Sequence, residues 1–402
     1  MSAVVKDVDA FVIAATDGRA ARARAYLETR PEILDDPWAR LVAGRGWEGD
    51  PNAPGGPRDW PPLVYASHSV LGDVETVRAL LARGADPDAT GLNEYGPMSA
   101  VYGASGVARD PERTRVLLEA GADPNDNESL YHASESGDTT CLRLLLAHGG
   151  RPNGTNALAH ALDYEPLEPV RLLLEAGADP NEHAHVAHAV RRGRGPEAIR
   201  LLAEHGADLL RPGGETWRGD VPLRSPYAHA VLRSRDDVVE ALRDLGAETP
   251  VSAGDRAVAV VARGEAPPTP LPGGFDVDQQ EVLILAALDG RVDAVVDAVG
   301  VGFAGVVAGS PAGTLLHHAG WVGSADVTRR LLDRGADALA RSGGLPTALG
   351  WGALGSQFHE LEGRDYVAVA RMLVEAGDTM TDEYASLCEG PLREWAGRTS
   401  AG

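Results

Sequence analysis

Leucine, valine and alanine recur along the chain at helical spacing, and the apolar runs end on glycine. "VRALLARGAD", "RVLLEAGAD", "LRLLLAHGG", "VRLLLEAGAD", "IRLLAEHGAD", "VEALRDLGAE", "TRRLLDRGAD" and "ARMLVEAGD" share this form. Apolar positions three and four residues apart predict amphipathic helices. The glycine predicts a stop, because only glycine enters the left-handed region without a Cβ penalty. The closing glycines are Gly84, Gly121, Gly149, Gly177, Gly206, Gly246, Gly335 and Gly377. A second glycine often lies about twelve residues upstream, at Gly72, Gly137 and Gly323, and separates off a shorter first helix. The predicted unit is helix, tight turn, helix, polar loop.

The stretch "GTLLHHAGWVGSADVTRRLLDRGAD", Gly313 to Asp337, resembles the ankyrin repeat, whose period is about 33 residues. Thr314, Leu316, His317, Ala319, Gly323, Leu331, Leu332 and Gly335 fall on that family's positions, while Leu315 stands where a proline is usual. The resemblance implies an all-α solenoid of roughly ten helical hairpins, with a concave groove lined by the first helices. The steps to Gly149, Gly177 and Gly206 are 28, 28 and 29 residues, which predicts short loops there. The step from Gly206 to Gly246 is 40, and that from Gly246 to Gly335 is 89, long enough to contain the degenerate unit "EVLILAALDGRVDAVVDAVG". The expected organisation is an array over 1–262, a Pro/Gly linker over 263–278 and a second array over 279–402 with a helical cap. A long Gly/Pro loop is expected over 44–62, because proline and glycine do not propagate a helix.

One polar residue recurs within the apolar pattern. Counting back seventeen residues from the closing glycine reaches His132, His160, His229 and His318, and in the unit ending at Gly206 it reaches Ala189, beside His188. Residues three or four positions on share the same helix face. That adds Glu135, Asp163, Tyr164, Arg191, Arg192 and Arg233 to the expected groove. Tyr102, Ser129 and Tyr131 fall near the same face. The insert 209–224, "LLRPGGETWRGDVPLR", replaces a short finger loop, and Trp217 and Arg218 are its candidate anchors, since Trp and Arg dominate binding energetics. A histidine in this position is also compatible with a structural role, hydrogen-bonded to backbone across the stack.

No metal or cofactor is expected. Packed helices lie about 8–10 Å apart, whereas zinc ligands sit about 2 Å from the ion, so one histidine per repeat is too sparse unless side chains converge. "EHAHVAH", with His183, His185 and His188, lacks a carboxylate or cysteine frame. "GVGFAG", Gly300 to Gly305, follows a helical run rather than a strand and reads as a helix stop.

Composition narrows the classes of partner. With 37 Lys+Arg against 59 Asp+Glu the net charge is −22, which repels a phosphate backbone and disfavours a nucleic-acid partner. Two cysteines do not make a disulfide framework or a Cys-rich metal site, no secretory leader opens the chain, and no long apolar run suggests a membrane span, so a cytoplasmic location is expected. The expected function is a non-catalytic binding module recognising a protein or peptide. The alternative is an unusual enzyme whose groove, covered by the 209–224 insert, acts on a small molecule or peptide through His160, Asp163, His188 and Tyr131 by acid–base catalysis. A purely structural spacer is a third reading.

Overall fold

In the computed structural model, residues 3–94, 96–214, 222–267, 271, 274–307, 311–342, 346–358 and 363–399 are described. The chain forms two compact units, Met1–Asp208 and Leu209–Gly402.

The first unit is a succession of helical hairpins. Ala3–Thr16 precedes Ala20–Thr29, and Pro62–His68 precedes Val74–Ala82. Ala100–Tyr102 runs on through the wider turn Gly103–Val107 before Pro111–Glu119. Glu128–Ala133 then precedes Thr140–Ala147, Ala157–Ala161 precedes Glu168–Glu175, and His185–Arg191 precedes Pro196–Glu204. The leucines of the second helices, among them Leu80, Leu117, Leu142, Leu145, Leu173 and Leu202, are fully or almost fully buried. Several second helices start on aspartate: Asp73 accepts from the Thr76 amide, and Asp110 from those of Glu112 and Arg113. Each such acceptor satisfies amides that have no partner in the helix's own first turn.

The closing glycines carry the backbone as expected. Gly121 has φ 99° and Gly177 has φ 89°. Past each, the next amide reaches back to the helix, Ala122 to Leu117 and Ala178 to Leu173, both at 2.9–3.1 Å. This is the hydrogen-bonded helix stop that only a left-handed residue permits.

One feature of the loops was not anticipated. Asn125, Asn153 and Asn181 each stand four residues after a closing glycine and join two successive repeats. The Asn153 amide donates to the Gly177 carbonyl at 3.0 Å, while its carbonyl accepts from the Asp179 amide at 2.7 Å. Asn181 does the same to Gly206 and Asp208, at 2.9 and 2.6 Å, and Asn125 to Gly149 and Arg151, at 3.3 and 2.9 Å. Asn52 bridges Gly84 and Asp86 in the same way from within the 44–62 loop. In the repeat that closes on Gly84 the position is Asp88, which accepts from the Asp123 amide at 2.7 Å.

The second unit contains the hairpins Pro226–Leu232 with Asp236–Asp244, Leu315–Trp321 with Ala325–Asp333, and Ala348–Gly355 with Tyr366–Glu375. The long step between Gly246 and Gly335 holds Ala253–Ala262 and the degenerate pair Val277–Ala286 and Val292–Val299. Asp382–Leu387 and Gly390–Thr399 follow the last hairpin. Val258, Val261, Leu283, Ile284, Leu316, Leu331, Leu349 and Leu373 belong to one buried cluster.

The division between units falls before the segment expected to be a linker, and an ion cluster shows why. Arg224 is buried against Asp255, Asp276 and Asp278, at 2.8, 2.6 and 3.2 Å. Asp276 and Asp278 lie at the end of the 263–278 segment, so that segment is tied into the packing of the second unit. Arg233, expected on the groove, is occupied here with Glu281 at 2.7 Å. Two short antiparallel ladders accompany the helices, Thr90–Asn93 with Gly96–Ser99 and Ala304–Gly305 with Gly313–Thr314.

Candidate functional site

The first helices of three consecutive hairpins in the first unit carry a continuous polar ladder. Its register follows from the sequence: a histidine, a carboxylate three residues on, and a histidine of the next repeat 25 residues beyond the carboxylate. Glu135 Oε1 accepts from His132 Nδ1 at 2.6 Å and from His160 Nε2 at 3.0 Å. Asp163 Oδ2 lies 3.5 Å from His160 Nδ1, and Asp163 Oδ1 accepts from His188 Nε2 at 2.8 Å. The ladder ends are also charged. Arg109 donates to Glu135 Oε2 at 2.6 Å, Arg192 Nε lies 2.8 Å from Asp163 Oδ1, and Glu128 Oε2 lies 3.3 Å from His132 Nε2.

Tyrosine rings frame these groups. Tyr131 stacks on His160, with centroids 3.6 Å apart and planes 9° from parallel. Tyr164 meets His160 edge-on at 5.3 Å, and Tyr102 lies 5.0 Å from His132. The ladder residues are half-buried, so their mutual interactions are screened less than those of exposed pairs. Burial alone would raise the Glu135 carboxyl, but the bonds and charges of His132 and His160 outweigh it and hold it at about 2. Asp163 is treated likewise by His160 and His188 and lies well below the usual carboxylate range. Burial opposes protonation of His160, yet its position between Asp163 and Glu135 raises its pKa. Burial pushes the Tyr102 hydroxyl up to about 12, keeping it a neutral donor.

The five histidines at the shared position divide into two groups. His132, His160 and His188 form the ladder with Glu135 and Asp163. His229 and His318 are buried, and each donates from Nε2 to a preceding backbone carbonyl: Gly213 at 2.8 Å and Gly305 at 3.1 Å. His229 is 0% exposed, so its imidazole presents no surface to a ligand in this conformation. Arg191 ends the helix His185–Arg191 and is half-buried, while Arg192 caps it and is exposed. Trp217 and Arg218 lie outside the described residues. His183 and His185 meet edge-on at 5.5 Å, while His183 bonds Asn156 and His188 bonds Asp163, so "EHAHVAH" does not converge on one point.

Two ladder participants, and a buried histidine beside Tyr102, fall outside the seventeen-residue register. Arg109 and Glu128 reach the ladder from other positions, and the signal for Arg109 is weak because its backbone is left-handed, φ 51°, in a loop. His68 falls one residue from the counted position and is fully buried between Trp60 and Tyr102. Contrary to the sparse spacing read from the sequence, side chains of adjacent repeats do converge: single ligand atoms of His132, Glu135 and His160 all lie within 4.8 Å of one another.

Comparison with known proteins agrees with the repeat. The family described as "Ankyrin repeats (3 copies)" matches residues 101–184, and "Ankyrin repeat" matches residues 58–92. No curated protein matches the chain. Among solved structures, the crystal structure of the human ASB11 ankyrin repeat domain is 21% identical, with 60% of this chain and 99% of that one covered and a TM-score of 0.41. Ankyrin repeats are generally protein–protein interaction modules. No described helix is long and apolar enough to cross a membrane. The matched segments span the whole polar ladder except His188 and Arg192, and the hairpin pattern with its left-handed stops continues on either side; the chain carries ankyrin repeats over 58–92 and 101–184.

Proposed function

We propose that the first-helix face between Tyr102 and Arg192 binds a protein or peptide segment. The observation that carries this reading is the cross-repeat ladder itself. Tyr131, Tyr164, Arg109 and Arg192 stand partly exposed, and their partners His160, Glu135 and Asp163 hold them in fixed geometry. Tyrosine and arginine are the residues that most often dominate interface energies, and fixing them beforehand lowers the ordering cost of binding. The imidazoles and carboxylates bond one another, which favours a rigid recognition surface over acid–base turnover by His160, Asp163, His188 and Tyr131. The net charge of −22 favours a partner with basic groups and an association rate that falls with added salt.

The test compares wild-type protein with the double variant Tyr131→Ala/Tyr164→Ala and with Arg171→Glu, a change on an exposed second-helix position. Partners recovered by the wild type are then titrated calorimetrically. We expect at least about a tenfold loss of affinity for the double variant, or ~1.4 kcal/mol, and little change for Arg171→Glu. A partner that binds all three proteins equally would rule this face out.

A further inference from the structure

The middle of the ladder has the composition of a metal site, and we propose that His132, Glu135 and His160 bind a divalent transition-metal ion of the zinc class.

The donor set is two imidazoles and one carboxylate. Zinc is bound by such a set through nitrogen at about 2.0–2.1 Å and oxygen at about 2.0–2.2 Å, with a fourth position left for water or an incoming group. Tetrahedral ligand atoms around such an ion lie roughly 3–4 Å apart. Here His132 Nδ1 and His160 Nε2 approach the same Glu135 oxygen at 2.6 and 3.0 Å, and all three donors fall within 4.8 Å. A small withdrawal of Oε1 and closure of the two rings bring the atoms to ligand spacing. The ion takes the place of the protons now shared between the imidazoles and Glu135, since bound histidine must present a lone pair.

The surroundings provide independent support. A ligating histidine normally has its other ring nitrogen held by a carboxylate, carbonyl or water, which fixes the ring and raises its basicity. Both histidines have such a group. Glu128 Oε2 is 3.3 Å from His132 Nε2, and Asp163 Oδ2 is 3.5 Å from His160 Nδ1. The remaining Glu135 oxygen is held by Arg109 at 2.6 Å, an arrangement suited to a carboxylate that ligates through one oxygen. Tyr131 stacked on His160 restricts ring rotation. Three donors from two adjacent repeats, with three polar groups behind them, exceed what a pair of surface hydrogen bonds requires.

The site stands apart from the partner reading, because an ion needs no partner protein to bind. The experiment therefore uses the full chain alone. Metal-free protein is titrated with zinc in competition with a chromophoric chelator, and with cobalt(II) followed by visible absorption. We expect one ion per chain and a cobalt spectrum of four-coordinate type. His132→Ala, Glu135→Gln and His160→Ala should each weaken binding at least tenfold, whereas His148→Asn, at an exposed histidine bonded to the Leu144 carbonyl, should retain it. Glu135→Gln keeps size and shape, and circular dichroism with thermal melting verifies that each variant is folded. No binding at micromolar zinc by folded wild-type protein would overturn the proposal. So would binding unaffected by Glu135→Gln, or lost only in a variant of His183 or His185.

Discussion

His68 shows how one buried ring makes a repeat sensitive to acid. Its Nδ1 donates to the Val64 carbonyl at 2.9 Å, its Nε2 has no hydrogen-bond partner, and burial lowers its pKa to about 4 from 6.5. The folded form therefore holds it neutral through a range in which the unfolded chain takes up a proton. Stability from this group is present above pH 6.5 and is lost as pH falls through about 4, amounting to about 3 kcal/mol. Urea unfolding of His68→Asn across pH 7 to 4 should show a slope reduced by close to one proton, and an unchanged slope would refute the assignment. The ring also explains a glycine: a Cβ on Gly103 would stand 2.1 Å from His68 Nδ1. Gly103→Ala should cost roughly 1–3 kcal/mol as overpacking, read as a lowered unfolding midpoint. Neither residue was found from the sequence, because His68 is displaced by one position and Gly103 lies in a turn with no helical period.

At the scale of the element, the repeat was legible because its signals act on the backbone. A leucine at helical spacing and a glycine that closes the helix need no knowledge of neighbours. The ladder was partly legible for the same reason: counting from glycine placed His132, His160 and His188 in one register, and a three-residue step added Glu135 and Asp163. The convergence of side chains between repeats was not legible, since bonds such as His160 to Glu135 depend on rotamers and on how closely hairpins stack. The same limit hid the asparagine bridges, although "GADPN" and "GGRPN" carried the signal. Asn153→Ala removes two inter-repeat hydrogen bonds on an exposed loop, and we expect a loss of about 1 kcal/mol in urea unfolding. Asn153→Asp should recover only part of it, because aspartate keeps the acceptor for the Asp179 amide and loses the donor to Gly177. Full recovery by aspartate would show that the donor contributes nothing.

At the scale of the whole molecule, composition set the acidic character but said nothing of where charge is buried. Prolines and glycines over 263–278 suggested a separation, yet Asp276 and Asp278 at its end meet Arg224, whose charge burial opposes and the surrounding carboxylates more than restore. No local pattern in the sequence joins position 224 to positions 255, 276 and 278. Arg224→Ala should destabilise the second unit by about 3–5 kcal/mol, because it leaves buried carboxylates uncompensated. Hydrogen exchange should then accelerate within 209–402, and unchanged protection there would contradict the role given to this cluster.

The asparagine bridges carry a consequence for the order of events during synthesis. Each bridge links a loop to the loop of the repeat that leaves the ribosome next, so it forms only when that repeat has arrived. The series runs through Asn125, Asn153 and Asn181 to Asp208. Four residues past Gly206 stands Leu210, whose side chain has neither donor nor acceptor. The row of loop bridges in the first unit thus ends on the amide of Asp208 and draws on no side chain from Leu209 onward.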